Sequence, residues 1–157
     1  MTATLDPLEA AFSAQMQLLD PAREAGSLQP LELLLDDGLP LRVTLHPDNR
    51  HWVVEAFAYD AVAIRGPLRR SLVKTLLQIN AAAMEGRQII CTLDRTDLVV
   101  LITCWPSLEA DLGPFVPWLY YTASQARRIR EAVRAIALHG DDMAFDFQPP
   151  DLAGASA

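Results

Sequence analysis

The order of the periodic segments predicts an α+β fold, α-β-β-β-α-β-β-α, in which helices pack on a twisted antiparallel sheet. Apolar residues at helical spacing mark three segments, and alternating or continuous apolar runs mark five strands. Turn residues separate consecutive strands, as in antiparallel hairpins. The chain has 157 residues, so we expect one domain over residues 1–140. Residues 141–157 are expected to form an acidic, flexible tail.

The first segment, Leu5–Leu19, carries a narrow apolar stripe that predicts an amphipathic helix. Asp6-Pro7 suits its start, since aspartate caps a helix and proline fits the first position. Asp20-Pro21 suits its end, because the residue before a proline avoids the α region. The stripe consists of Leu5, Leu8, Phe12, Met16 and Leu19.

Three strands are predicted next, Leu31–Leu35, Leu41–His46 and His51–Tyr59. The residues between the first two, Asp36–Gly38, are a hairpin signal. The second strand alternates apolar and polar side chains, as in a sheet with one solvated face. The third strand is apolar on both faces, so its second face is expected to meet a helix, a dimer mate or a ligand.

A second helix is predicted over Pro67–Glu85, with proline at its start and Gly86 after its end. It carries two adjacent apolar stripes, which form a wider surface than one sheet face covers. We therefore expect this helix to pack on its own sheet and also on a second subunit. The stripes contain Leu68, Leu72, Leu76, Ile79 and Ala83, and Val73, Leu77 and Met84.

Two further strands, Arg87–Leu93 and Leu98–Trp105, are nearly continuous apolar sequence and are predicted to be buried on both faces. Pro106–Tyr121 is interpreted as irregular because prolines and a glycine recur in it. Thr122 then begins a capping-box pattern. This pattern predicts a third helix over Ser124–Leu138.

The two cysteines, Cys91 and Cys104, fall in this last hairpin. A turn over Asp94–Asp97 places Cys91 opposite Val100, with Cys104 on the same face and four residues along. That separation is about 13 Å, which is too long for a disulfide. Both residues are therefore predicted to be buried thiols, as expected in a reducing compartment.

The charge balance is acidic, with a net charge of −7 and a pI near 4.8. Such a chain repels nucleic-acid phosphates at long range. No apolar run approaches the roughly 18 residues of a transmembrane helix. The first ten residues lack the basic start and apolar core of a secretory signal. We therefore expect a cytoplasmic protein with no membrane insertion and no nucleic-acid partner.

No residue pattern predicts catalysis, a metal site or a cofactor. His46 and His51 flank one turn but lack a third ligand at metal spacing. The serines fall on helices, linkers and caps, and the glycines form no phosphate loop. The paired carboxylates lie at turns or in the tail, where acids usually cap backbone N–H groups. The sequence thus predicts a binding protein and not an enzyme.

Two basic clusters and one tail segment leave alternatives open. Solvated helix faces are the favoured interpretation of the clusters, and nucleic acid or an acidic protein segment are the alternatives. In the tail, Met143, Phe145 and Phe147 alternate with acids. A solubilising tail is favoured, and the alternative is a short segment that docks on an apolar groove of this or another protein. The clusters contain Arg65, Arg69, Arg70 and Lys74, and Arg127, Arg128, Arg130 and Arg134.

The run Leu72–Met84 contains leucines, then Asn80, then small residues, and an apolar hairpin follows it. Together with the order of elements, this pattern resembles the class I type III secretion chaperones, the Tir-chaperone family. The resemblance spans about Leu5 to Leu138. Pro106–Tyr121 is longer than the family's usual short link to the last helix. In this respect the chain resembles the broad-range chaperones of plant-associated bacteria.

The resemblance implies a small, acidic, cytoplasmic homodimer that keeps the N-terminal segment of a secreted effector extended for the secretion ATPase. No bond is broken and no cofactor is needed. The resemblance also implies roles for individual residues. It implies that the first helix and the exposed sheet face bind the effector, through Leu8, Phe12, Met16, Val43 and Phe57. The dimer interface falls to the second helix, at Leu72, Leu76, Ile79 and Ala83.

Two other classes of protein remain as alternatives. One is a ligand-sensing or small enzymatic α+β domain, which an enclosed pocket with converging polar groups would favour. The other is a nucleic-acid-binding regulator that uses the third-helix arginines, which salt-sensitive DNA binding would favour. The pocket of the first alternative would be lined by Trp105, Trp118, Tyr120 and Tyr121.

Overall fold

The structure is a computed structural model that describes residues 5–48, 50–83, 89–106 and 115–140. It confirms the predicted fold class and the order of elements. Five strands form one antiparallel sheet in the order β1-β2-β3-β5-β4. The elements are α1 (Pro7–Leu19), β1 (Leu31–Leu34), β2 (Pro40–Leu45), β3 (His51–Asp60), α2 (Gly66–Ala83), β4 (Ile89–Leu93), β5 (Leu98–Pro106) and α3 (Phe115–His139).

Strands β3 and β5 form the centre of the sheet, where α3 packs on both of them. Along β3 every second side chain is buried, because successive side chains point to opposite faces of a sheet. The other face of β3 is half-buried, which includes Val53, Glu55 and Phe57. The register shifts once, between Phe57 and Tyr59. The buried row is Trp52, Val54, Ala56 and Ala58.

An aromatic cluster joins α1 and α3 to the sheet. The ring of Trp52 on β3 lies 5.6 Å from the ring of Phe12 on α1 and 4.9 Å from that of Phe115 on α3, both edge to face. All three side chains are buried. Edge-to-face pairs add roughly 0.5–1.5 kcal/mol each to the burial of the rings. Trp52 therefore fixes where both helices cross the sheet.

The predicted cap of α1 is confirmed. Asp6 accepts hydrogen bonds from the backbone N–H groups of Leu8 and Glu9, at 2.8 and 2.9 Å. The Glu9 side chain accepts from the Asp6 N–H in return, which completes a capping box. Pro7 occupies the first turn, where its missing N–H would have had no partner within the helix.

The interpretation of Pro106–Tyr121 as irregular is wrong for its last seven residues. α3 begins at Phe115, and Pro117 lies in its first turn, where a proline is tolerated. The predicted cap at Thr122 is wrong for the same reason. Thr122 is buried inside the helix, where its hydroxyl donates to the Trp118 carbonyl and contacts Thr103 Oγ1 at 2.9 Å.

The predicted register of the last hairpin is wrong by one residue. Cys91 pairs with Leu101 and not with Val100, so Cys91 and Cys104 lie on opposite faces of the sheet. The reason is a three-residue loop in which Asp97 adopts a φ of 65°. Both cysteines are free thiols; Cys91 is buried, while Cys104 is half-exposed.

Several predictions fall wholly or partly outside the described residues. These are the end of the second helix beyond Ala83, the start of β4 before Ile89, and the tail 141–157. The division into a domain over 1–140 and a tail therefore stays a prediction.

The Trp52 cluster predicts a graded loss of stability. Trp52→Ala should lower the free energy of unfolding by about 3–5 kcal/mol, because it removes both ring contacts and leaves a cavity. Trp52→Phe should cost clearly less, since the buried indole N–H has no hydrogen-bond partner among the described residues. Urea unfolding followed by circular dichroism measures both. Equal midpoints for wild type and Trp52→Ala would contradict the role of the cluster.

Candidate functional site

An apolar groove lies where the end of α1, the β1–β2 hairpin and the start of α3 meet. Its volume is about 140 Å³. The α3 side of the groove carries residues at positions 116, 119, 120 and 123, which is the spacing of one helix face. We call this surface the groove; it is lined by Leu19, Leu33, Leu35, Leu41, Val116, Leu119, Tyr120 and Ala123.

The size and chemistry of the groove fit an apolar side chain. A cavity of about 150 Å³ lined by aliphatic side chains takes up one benzene molecule, whereas pockets for drug-sized ligands have volumes of roughly 300 Å³ or more. Its lining consists of leucine, valine, alanine and one tyrosine. The tyrosine, Tyr120, is 67% exposed. The groove thus lacks the converging polar groups that a ligand-sensing pocket would need.

The edge of the sheet beside the groove has unpaired backbone groups. Leu35 N–H bonds the Leu39 carbonyl across the hairpin, and bonding alternates along an antiparallel pair. Glu32 and Leu34 therefore direct their backbone N–H and C=O groups away from β2. In the described chain, no hydrogen bond reaches these outward groups. Such an edge can accept another strand.

The opposite edge of the sheet, at β4, is bonded by α2 at one residue, Cys91. The Asn80 side chain on α2 donates to the Cys91 carbonyl at 2.8 Å and accepts from the Cys91 N–H at 2.7 Å. The asparagine amide thereby takes the place of a neighbouring strand at this point. Among the described residues, only the β1 edge combines outward backbone groups with an adjacent apolar groove.

A second apolar surface lies on the exposed side of α2. Leu77 is 64% exposed, and Val73, one turn before it, is 43% exposed. We call Val73 and Leu77 the α2 surface. It corresponds to the second of the two stripes in the sequence, while the first stripe packs on the sheet.

The residues predicted for effector binding divide into two groups. Phe12, Met16 and Val43 have 0% of their surface exposed and belong to the core. Leu8 and Phe57 are half-buried, and the Arg42 guanidinium lies 5.4 Å above the Phe57 ring. The groove itself was missed, because residues 106–121 were interpreted as irregular. The helical spacing of Val116, Leu119, Tyr120 and Ala123 would have revealed it.

The residues predicted for the dimer interface face the sheet of their own chain. Leu72 and Ile79 have no exposed surface, and Leu76 and Ala83 are also buried. The neighbouring α2 surface is the part of the helix that a partner can reach.

Most of the clustered arginines are held by other residues of the chain. On α3, Arg127 Nε donates to Asp37 Oδ2 at 2.7 Å, and Arg130 Nε donates to the Ala58 carbonyl at 2.9 Å. On α2, Arg65 and Arg69 both contact Asp97, at 3.3 and 2.5 Å. These contacts tie the helices to the turns of the sheet. They do not form an open basic patch of the kind that nucleic acids need.

The histidines and cysteines form no reactive site in the described chain. Asp48 accepts from the Arg50 N–H and lies within 3.0 Å of Nδ1 of both His46 and His51, which lowers the pKa of its carboxyl group. Burial raises the pKa of the Cys91 thiol to about 12, so the thiolate is scarce at neutral pH. Within the described ranges, no group of three histidine, cysteine or acidic side chains is arranged to hold a metal ion.

The helices of the described chain include none that is both long and apolar enough to cross a bilayer. This observation agrees with the absence of a long apolar run in the sequence.

Comparison with known proteins identifies a similar fold. No family model matches the sequence, and no curated protein matches it. The structure is similar to a chain in the crystal structure of the ExsC–ExsE complex, with a TM-score of 0.56 and 16% sequence identity. The match covers 80% of this chain and 90% of the other. At this identity the likeness shows the fold alone.

The Arg127–Asp37 contact beside the groove predicts a dependence of stability on pH. The Arg127 hydrogen bond holds the pKa of Asp37 at about 2, below the ordinary 3.8. Because its pKa is lower in the folded state, the ionised Asp37 carboxylate stabilises the fold above about pH 4. This stabilisation is lost as the pH falls from about 4 to about 2. Asp37→Asn should therefore flatten the fall of the unfolding midpoint in this range.

Asp36→Asn is the matched control, because it removes the same charge from an exposed neighbour in the same turn. Thermal unfolding at steps between pH 5 and pH 2 compares the three proteins. If Asp37→Asn and wild type lose stability in parallel, the ion pair does not hold α3 to the hairpin.

Proposed function

We propose that this protein is a type III secretion chaperone that holds the N-terminal segment of a secreted effector in extended form. The observation that carries the proposal is the apolar groove beside an unpaired strand edge. This combination fits an extended segment, which offers backbone groups to the edge and alternate side chains to the groove. The similar fold in the ExsC–ExsE complex, where one protein was solved bound to another, supports it.

In this proposal the segment lies antiparallel or parallel to β1 and pairs with the outward groups of Glu32 and Leu34. Every second side chain of the segment, spaced roughly 7 Å apart, faces the groove. Burying one large apolar side chain contributes about 1.5–3 kcal/mol. Ordering an extended segment opposes binding, so one groove alone gives a weak complex.

A homodimer would present two grooves and raise the affinity through linked binding. We place the dimer contact on the α2 surface, since the residues first predicted for it are buried against their own sheet. On the same helix, Asn80 bonds the outward backbone groups of Cys91 at the β4 edge. The two chains would therefore meet through side chains and not through paired strands.

None of the residues first predicted for effector binding lines the groove. Phe12, Met16 and Val43 belong to the core, and Leu8 and Phe57 are half-buried. The proposed site of action is the cytoplasm, where the complex would deliver the segment to the secretion ATPase. The reaction class is binding and release.

The groove predicts which substitution weakens capture of a secreted protein. Tyr120→Glu should lower co-purification of secreted proteins about tenfold or more, because it places a charge in an apolar groove. The helix should stay folded, since Tyr120 is largely exposed. Purification of the tagged chain from its native bacterium, followed by mass spectrometry, measures capture.

Ser124→Glu is the matched control, because Ser124 is exposed on the same helix one turn away and does not line the groove. N-terminal deletions of a captured protein then locate the bound segment. Undiminished capture by Tyr120→Glu, or binding through a C-terminal segment, would contradict the proposal.

The α2 surface predicts the oligomeric state. Wild type should have twice the mass of one chain in light scattering, and Leu77→Asp should have the mass of one chain, because the charge would be buried in the contact. Gln78→Asp adds the same charge to a neighbouring exposed position that is already polar, and it should remain dimeric. A monomeric wild type, or a Leu77→Asp variant with the mass of a dimer, would refute this interface.

A further inference from the structure

We propose that the segment after α3 of the same chain docks in the groove, with the Phe147 ring as its anchor. The groove and the segment that fills it belong to one chain. The proposal rests on the proposed function in one respect only, namely that the docked segment competes with the effector segment for the groove.

The end of α3 lets the chain turn back along the helix. Gly140 adopts a φ of 73°, and its N–H bonds the Ile136 carbonyl at 2.8 Å. A glycine in this conformation ends a helix and redirects the chain. A side chain at this position would meet Leu68 on α2, 3.1 Å from the added carbon. The positive φ and the close approach of α2 together favour glycine at this turn.

The distance from this turn to the groove selects Phe147. Ala123, which lines the groove, precedes His139 by 16 residues, which is about 24 Å along the helix. Phe147 follows His139 by eight residues, and an extended chain spans about 26 Å over that length. Phe145 follows by six residues, about 20 Å, so its backbone stops about 4 Å short of Ala123. Phe147 is the first aromatic residue whose backbone reaches the groove.

The groove accepts one ring of this kind. Its volume of about 140 Å³ is close to that of an apolar cavity that takes up benzene. Burying a phenylalanine side chain shifts a docking equilibrium by about 10- to 100-fold. Because the segment belongs to the same chain, docking needs no loss of translational freedom.

The path between the turn and the groove has the opposite charge to the segment. Four arginines and one glutamate give α3 a net charge of +3, which Asp37 beside Arg127 reduces to +2, and the aspartates of residues 141–157 give that segment −4. Arg127 and Arg134 lie on the exposed face of α3 between His139 and Ala123. The aspartates at 141, 142 and 146 would pass these arginines as the segment runs back.

A photoreactive residue tests the docking directly. Phe147 is replaced by p-benzoylphenylalanine in the full chain, which is irradiated and digested, and crosslinked peptides are identified by mass spectrometry. We expect crosslinks within one chain to peptides that contain Leu33–Leu35 or Val116–Ala123. Adding Tyr120→Glu should lower this yield about tenfold, and raising the salt from 0.05 to 0.5 M should lower it several-fold.

The same photoreactive residue at Phe145 is the control, and it should give a clearly lower yield of groove crosslinks. Isotope-labelled and unlabelled chains are mixed before irradiation to identify crosslinks between chains. Crosslinks only between chains would mean that a second copy fills the groove. That result, an absence of groove crosslinks, or equal groove crosslinking from Phe145 and Phe147 would each overturn the proposal.

Capture of secreted proteins measures separately whether the docked segment competes with the effector segment for the groove. Phe147→Asp should raise capture about tenfold relative to Phe145→Asp, because it removes the anchor from the groove. Groove crosslinks without capture by any variant would leave the docking intact and refute the proposed function. Normal capture without groove crosslinks would refute the docking alone.

Discussion

The contact of Trp52 with Phe12 and Phe115 determines where α1 and α3 lie on the sheet. The position of the groove depends on this contact. The cluster holds α1 and α3 on the same face of the sheet, and the end of α1 and the start of α3 border the groove. The groove is thus a consequence of how three rings pack in the core. Its lining is apolar because it continues the core to the surface. A change at Trp52 would alter the groove without touching any residue that lines it.

The two edges of the sheet differ in whether another part of the chain bonds their outward backbone groups. This difference assigns the proposed dimer contact and the proposed segment binding to different edges. At β4, Asn80 takes up the outward backbone groups of Cys91, so a partner there meets side chains. At β1, no described residue bonds the outward groups of Glu32 and Leu34, which lie beside the groove. One edge therefore suits a permanent contact between folded chains, and the other suits an extended segment that binds and leaves.

The sequence predicted the ends of an element correctly where residues close together in the chain determine them. The cap of α1 is an example, because Asp6 and Glu9 satisfy each other within one turn. The start of α3 was not predicted, since Pro117 suggests a loop and becomes tolerable only in a first helical turn. The register of the last hairpin depends on Asp97, whose left-handed backbone accompanies contacts with arginines far along the chain. Burial of Phe12 and exposure of Tyr120 are likewise set by packing between distant elements, which periodicity alone does not specify.

In the proposed complex, an extended segment of a secreted protein pairs with β1 and fills the groove. Residue-resolved amide hydrogen exchange, measured with and without the N-terminal segment of a captured secreted protein, tests this pairing. We expect the amides of Glu32 and Leu34 to exchange more slowly in the complex, while the amide of Cys91, already bonded to Asn80, is unchanged. Unchanged exchange at Glu32 and Leu34 in a saturated complex would contradict it.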